Sequence, residues 1–266
     1  MVKHNMDLDI YTSEMAKSVW DKAFFMDKIP GAKCVIDFGC ADGAMIHFLA
    51  PLFPDIMFVG YDISAELIDK ARHTAPYYAN VIYFDGSKVC GNQHVIDFVK
   101  PKFKPDEICI NFSSVLHEVF SKTKDGQWII RSMVDKLKPR FITVRDMYFD
   151  GENRVLSYYH VKEIMEAFDV KEGFIEAFED QFSSICSVKF LYHFLMKYQW
   201  HKNGWEEEME EDYFSWNIKD FMSIIGQHDI IFESHYMLPY YREQWYKNEL
   251  FPIEANTHAQ FILRRW

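Results

Sequence analysis

A chain of 266 residues with 49% hydrophobic content is long enough to bury one large core. Its formal net charge of −11 argues against a duplex-DNA binder, whose surface carries a basic footprint. No apolar run reaches the roughly 18 residues of a membrane span, and Met1–Asp7 lacks the apolar core of a signal peptide.

The five cysteines, Cys34, Cys40, Cys90, Cys109 and Cys186, form no Cys-x-x-Cys pair. Reduced thiols in a cytoplasmic setting are expected, and no Cys/His cluster has zinc spacing. Aromatic content is high at 17%, and packing is its simplest use.

In chain order, Met15, Val19, Trp20, Phe24 and Phe25 recur at helical steps, predicting a helix over Ser13–Ile29 that Pro30-Gly31 ends. Strands are then expected at Cys34–Phe38, Met57–Tyr61, Val81–Phe84, Glu107–Phe112 and Phe141–Arg145, alternating with helices. Those helices run from near Gly43 to Pro51, from Ser64 to before Pro76, over Asn92–Val99 and over Asp125–Leu137. This alternation is the signature of a parallel sheet with crossover helices. A further helix at Asn217–Gly226 and strands at Ile230–Ser234 and Ala259–Leu263 close the chain.

Between the fifth strand and that late helix, residues 150–215 stand outside the alternation. They read as helices at Val161–Phe168, Phe174–Phe178, Ser184–Tyr198 and Trp205–Phe214. Ile185, Val188, Leu191, Tyr192 and Leu195 make an apolar stripe on the third. An insertion after strand five leaves from the edge where open α/β sheets bind ligands, so a substrate lid is expected rather than a dimerisation arm. Pro239–Thr257, rich in Tyr and Trp, leaves from the same sheet and is expected to close its other side.

The chemistry concentrates in Val35-Ile36-Asp37-Phe38-Gly39-Cys40-Ala41-Asp42-Gly43, followed 19 residues later by Asp62 in Gly60-Tyr61-Asp62-Ile63. A strand enters a glycine turn, a helix follows, and a second strand ends in an acid, as at the ligand end of a doubly wound sheet. The turn is Gly-x-x-x-Gly, not the Gly-x-Gly-x-x-Gly that cradles a pyrophosphate.

Asp37–Gly43 resembles the first motif of the class I S-adenosylmethionine-dependent methyltransferases, and Gly60–Ile63 resembles their acidic ribose-binding loop. The resemblance covers residues 30–150 and continues beyond them only in strand order. It implies one α/β domain over residues 1–266: a Rossmann-like, doubly wound, seven-stranded, mostly parallel sheet with an antiparallel last strand. Residues 1–30 form an N-terminal helical cap, and a helical insertion follows strand five.

It further implies S-adenosyl-L-methionine as cofactor. Asp62 would take the ribose hydroxyls and Ile63 the adenine face, while Asp85-Gly86 matches the adenine-binding motif. Asp37, Gly39, Cys40 and Gly43 would hold the methionine end, with Asn111, Phe112 and Ser113 at the end of strand four. The cofactor carries a sulfonium and an ammonium but no phosphate, so acids can line its site.

For the acceptor, Ser113-Ser114-Val115-Leu116-His117-Glu118 resembles the strand-four loop of small-molecule methyltransferases. It offers His117 as a catalytic base or as a structural residue bonded across the loop, with Glu118 orienting its ring or starting a helix. Base methylation of DNA is disfavoured, because neither an Asn/Asp-Pro-Pro-aromatic motif nor a Pro-Cys pair is present. Asp146 is one acid suited to metal-assisted transfer, but no full set is visible, so no metal is expected.

The expected reaction is methyl transfer to an oxygen or nitrogen of a small molecule. The alternatives are an RNA or protein methyltransferase, and a catalytically inactive cofactor-binding regulator. Lys100, Lys102, Lys104, Lys122, Lys124, Lys136, Lys138 and Arg140 favour RNA if they gather at the pocket. The acidic run from Glu206 to Asp212 reads as a solvated helix face. Trp200, Trp205, Tyr213 and Trp216 beside it are core residues first and a cation cage second.

Overall fold

The computed structural model describes residues 18–74, 78–87, 91–122, 124–246 and 255–266. Seven strands form one sheet in the order β3-β2-β1-β4-β5-β7-β6. They are β1 Cys34–Phe38, β2 Met57–Asp62, β3 Val81–Asp85, β4 Ile108–Ser113, β5 Phe141–Asp150, β6 His228–Tyr236 and β7 Asn256–Arg265. The first five strands pair in parallel, and β7 runs antiparallel between β5 and β6.

Every residue of β1 and β4 is buried. Strands covered by helices on both faces need such continuous apolar runs, which is why they stand out in the sequence. The polar exceptions are Asp37, Asn111 and, at the end of β4, Ser113; Asp37 and Asn111 are in register with each other, with Thr143 of β5 in register with Asn111. Asn111 Nδ2 donates to Asp37 Oδ1 at 2.8 Å and Thr143 Oγ1 donates to Asn111 Oδ1 at 2.8 Å. This row of three polar side chains inside the sheet thereby satisfies itself.

Helices α1 (Val19–Lys22), α2 (Ala44–Leu49), α3 (Ala65–Thr74), α4 (Gly91–Val99), α5 (Leu116–Lys122), α6 (Lys124–Leu137) and α11 (Ile218–Ile225) belong to the sheet layers. One core on the first face joins Ile36, Phe38, Ile110 and Phe112 to Met133, Leu137 and Phe221. Phe25, Val35, Ile46, Phe58 and Ile68 form the other.

The expected Ser13–Ile29 helix is cut short. Its first residues lie outside the described ones, and after Lys22 the chain turns through i→i−3 bonds, Met26 N to Ala23 O and Lys28 N to Phe25 O. β5, β6 and β7 exceed their expected lengths. Met147 of β5 still pairs with His258 of β7, extending β5 past the parallel part of the sheet.

The insertion holds α7 (Tyr158–Ala167), α8 (Glu172–Gln181), α9 (Val188–Tyr198) and α10 (Trp205–Met209). The apolar stripe of α9 is buried in a separate core with Ile164, Phe178 and Tyr213. Helix α12 (Pro239–Tyr246) joins that core rather than standing opposite it: Trp245 packs edge-on to Tyr192, and Gln199 donates to the Tyr241 hydroxyl at 2.8 Å. Residues 247–254 of the expected closing segment lie outside the described ones.

The acidic run leaves the helix at Met209 and folds back toward α5 instead of continuing to Phe214. Trp205, Tyr213 and Trp216 are buried, as packing residues should be. No described helix is long and apolar enough to cross a membrane.

Candidate active site

The turn after β1 is held open by backbone that favours glycine: φ is 78° at Gly39 and 76° at Gly43. A Cβ on Gly39 would lie 2.6 Å from Val115 Cγ2, so the β4–α5 loop sits directly against the turn. The Gly39 and Cys40 amides both donate to Tyr61 O, at 2.8 and 3.1 Å. Cys40 is buried, and its thiol is pushed well above its ordinary pKa by burial and by Asp62 and Asp37.

Asp62 ties this turn to the next helix. Its Oδ2 accepts from Ala41 N at 2.9 Å and its Oδ1 from Ser64 N at 2.8 Å. Asp85 stands in register with it on β3, with Oδ1 accepting from Ser87 N at 2.8 Å, and Gly86 N donates to Asp62 O at 2.7 Å. Ile63 is 57% exposed beside them, an apolar side chain left uncovered at the ligand edge.

Asp37 is buried beneath the glycine turn. Burial raises its pKa to about 6, against the opposing pull of the Asn111 bond and of Lys22. Lys22 is itself buried. Its pKa is lowered to about 8 by burial and by Arg145, while Asp37, Asp146 and Asp42 pull the other way.

Arg145 is anchored by Nε to Asp21 Oδ2 at 2.6 Å and by Nη1 to Ser114 Oγ at 2.8 Å. Asp21 also accepts from the Tyr236 hydroxyl at 2.8 Å, clamping α1 over the ends of β5 and β6. Arg145 Nη2 and Ser113 Oγ are buried without a partner among the described residues. Unpartnered buried donors at strand ends are what a polar ligand would satisfy.

Asn111 has both ends of its amide engaged, and Phe112 is packed between Phe38 and Phe221. Of these two expected contacts, Asn111 acts on Asp37, and Phe112 has only its backbone to offer a ligand. Asp21 and Lys22 are not legible in sequence, because a charge inside a short amphipathic helix reads as solvent-exposed, and nothing in the sequence of β6 tells that Tyr236 meets Asp21 across the fold.

His117 is buried between two carboxylates. Nδ1 donates to Asp146 Oδ1 at 2.6 Å, and Nε2 lies 3.4 Å from Glu211 Oε2. Burial lowers the imidazole pKa, but Asp146 and Glu211 outweigh it and hold it well above its ordinary value. Asp146 is fixed in turn, with Oδ2 accepting from Val115 N and Leu116 N at 2.9 and 2.6 Å. Glu118, on the first turn of α5, offers a carboxylate oxygen within 4.8 Å of donor atoms of His117 and Glu211.

Lys100, Lys102 and Lys104 precede β4, and Lys136, Lys138 and Arg140 precede β5. In a parallel sheet those loops lie at the edge opposite the glycine turn. These basic residues therefore do not gather at the pocket.

No family model and no curated protein matches this chain. Solved structures match in fold. The plantazolicin methyltransferase BamL, in complex with a desmethylplantazolicin analog and S-adenosylhomocysteine, aligns with a TM-score of 0.50 at 12% identity over 97% of this chain and 88% of its own. A methyltransferase of Archaeoglobus fulgidus aligns with a TM-score of 0.50 at 12% identity over 97% of this chain and all of its own. An O-methyltransferase family protein from Burkholderia thailandensis gives 0.51 at 12% identity, over 97% of this chain and 59% of its own. The chain has the class I fold of the S-adenosylmethionine-dependent methyltransferases.

Proposed function

We propose that the protein is an S-adenosylmethionine-dependent methyltransferase acting on an oxygen or nitrogen of a small-molecule acceptor. The observation that carries this reading is the row of carboxylates Asp37, Asp62 and Asp85 at the ends of three adjacent strands, around a glycine turn of the wrong shape for pyrophosphate. The unpartnered Arg145 Nη2 and Ser113 Oγ, and the buried Lys22, add donors at one end of that row. Acids along the row with cations at one end fit a zwitterionic adenosyl ligand.

In this reading Asp62, whose two oxygens each accept a backbone N–H, takes the ribose hydroxyls. Asp85 accepts from the adenine amine, and Ile63 covers the ring. Asp37 in its charged form takes the ammonium, with Asn111 holding its other face. Lys22 and Arg145 take the carboxylate. Gly39, Cys40, Gly43, Gly86 and the Phe112 backbone shape the walls. When bound, the cofactor supplies a methyl group on a sulfonium.

His117 and Glu118 mark the acceptor end. Both ring nitrogens of His117 face carboxylates, which supports a positioning role for it over that of a free base. The insertion core above this edge and the basic residues at the opposite one support a small molecule over RNA.

The test is transfer of isotope-labelled methyl from S-adenosylmethionine into metabolite, RNA and protein fractions of a cell extract. Label in the metabolite fraction is expected. Label in RNA or protein would replace the small-molecule reading, and cofactor binding without transfer would make the chain a regulatory binder.

A further inference from the structure

We propose that His117, Glu118 and Glu211 form a binding site for one divalent transition-metal cation, such as Mn²⁺ or Zn²⁺. Spacing along the chain indicates no such set, since Glu211 belongs to an acidic run that reads as a solvated face. The fold nevertheless brings one donor atom from each of the three residues within 4.8 Å of the others.

The histidine is prepared as a ligand. Its Nδ1 is spent on Asp146 at 2.6 Å, and Asp146 is locked by the Val115, Leu116 and Met147 amides. A carboxylate behind the imidazole fixes the ring and turns Nε2 toward the cluster, the outer-shell arrangement that metal-bound histidines use. Nε2 and Glu211 Oε2 lie 3.4 Å apart, long for a charge-assisted hydrogen bond. Two neighbouring ligands on a cation with bonds of about 2.1 Å stand roughly 3.0–3.4 Å apart, and opposite ones about 4.2 Å. The cluster therefore needs only a small inward movement of the glutamates.

Glu211 is aimed by its surroundings. The buried Lys197 ammonium donates to the backbone carbonyls of Glu208 and, at 2.6 Å, Glu211. Ser121 of α5 accepts from Asp212 N at 2.9 Å, and Ser215 Oγ donates to His117 O at 2.9 Å. These bonds bind the insertion to α5, so the cation would join the two.

One imidazole with two carboxylates suits Mn²⁺ or Zn²⁺, and suits Mg²⁺ less because of the nitrogen. Three protein donors leave positions for water or an acceptor oxygen, whose proton a bound cation makes easier to remove. That catalytic use rests on the proposed methyl transfer. The binding does not.

The test is calorimetric titration of the chelator-stripped full chain with Mn²⁺, Zn²⁺ and Mg²⁺, alongside Glu118→Gln and Glu211→Gln. Thermal midpoints and far-ultraviolet circular dichroism establish that the variants fold. The wild type is expected to bind one Mn²⁺ or Zn²⁺, far more tightly than Mg²⁺, and each variant to lose at least about tenfold in affinity. No binding of either metal, or binding that both folded variants retain, would overturn the site and leave His117 as the cation of an ion-paired cluster. Cation binding is read without turnover. A protein that takes the metal but not S-adenosylmethionine would sink the methyltransferase reading and leave this site standing.

Discussion

Asp37 is a buried carboxylate bonded to Asn111 inside the sheet, and in the proposed function it also meets the cofactor's ammonium. Its pKa near 6 arises because burial penalises the carboxylate more than Asn111 and Lys22 stabilise it. In the cofactor-free protein the folded chain then holds a proton that the unfolded chain releases nearer pH 3.8, so this group favours folding as pH falls through that window and opposes it above. Binding runs the other way, because only the carboxylate attracts an ammonium. Affinity for S-adenosylmethionine is therefore expected to fall as pH drops below about 6. Calorimetry across pH 5 to 7.5 should show this limb in the wild type and a flatter one in Asp37→Asn.

Gly39 is limited by geometry instead of charge. Its φ of 78° and the 2.6 Å approach of Val115 to a would-be Cβ leave no room for a side chain. Gly39→Ala should cost more than about 1 kcal/mol in urea unfolding and weaken cofactor binding with it.

Among the elements, the β4–α5 loop and the segment after α10 make one unit, held by Ser121, Ser215 and Lys197. Lys197 is fully buried, and its ammonium caps two carbonyls. Lys197→Met would take the ammonium away from both carbonyls, at about 1–3 kcal/mol for a lost buried charge-assisted bond. A fall in stability of that order is expected in urea unfolding, and a smaller one would mean that water replaces the ammonium.

These contacts also mark where sequence reading stops. β1 and β4 were legible because fully buried parallel strands need unbroken apolar runs, bounded here by glycine and polar residues. The meeting of His117 with Glu211 was not. Ser215 reaches His117 across 98 residues, and nothing in an acidic run tells which of its members turns inward. Lys22 hid for the same reason, since its burial depends on α1 docking over β5 through Asp21 and Arg145.

At the scale of the whole molecule, a sheet of order β3-β2-β1-β4-β5-β7-β6 sets three carboxylates along one edge, and the helical insertion stands over that edge with its own core. Strand order and the glycine turn speak for the cofactor, while the proposed acceptor end lies where α5 meets the insertion. Calorimetric titration with S-adenosylmethionine of the wild type and of Asp62→Ala probes the proposed cofactor site. One-to-one binding by the wild type is expected, with a loss of at least about tenfold in the variant, or about 1.4 kcal/mol. A wild type that binds no cofactor, or an Asp62→Ala protein that binds it equally well, would contradict the account.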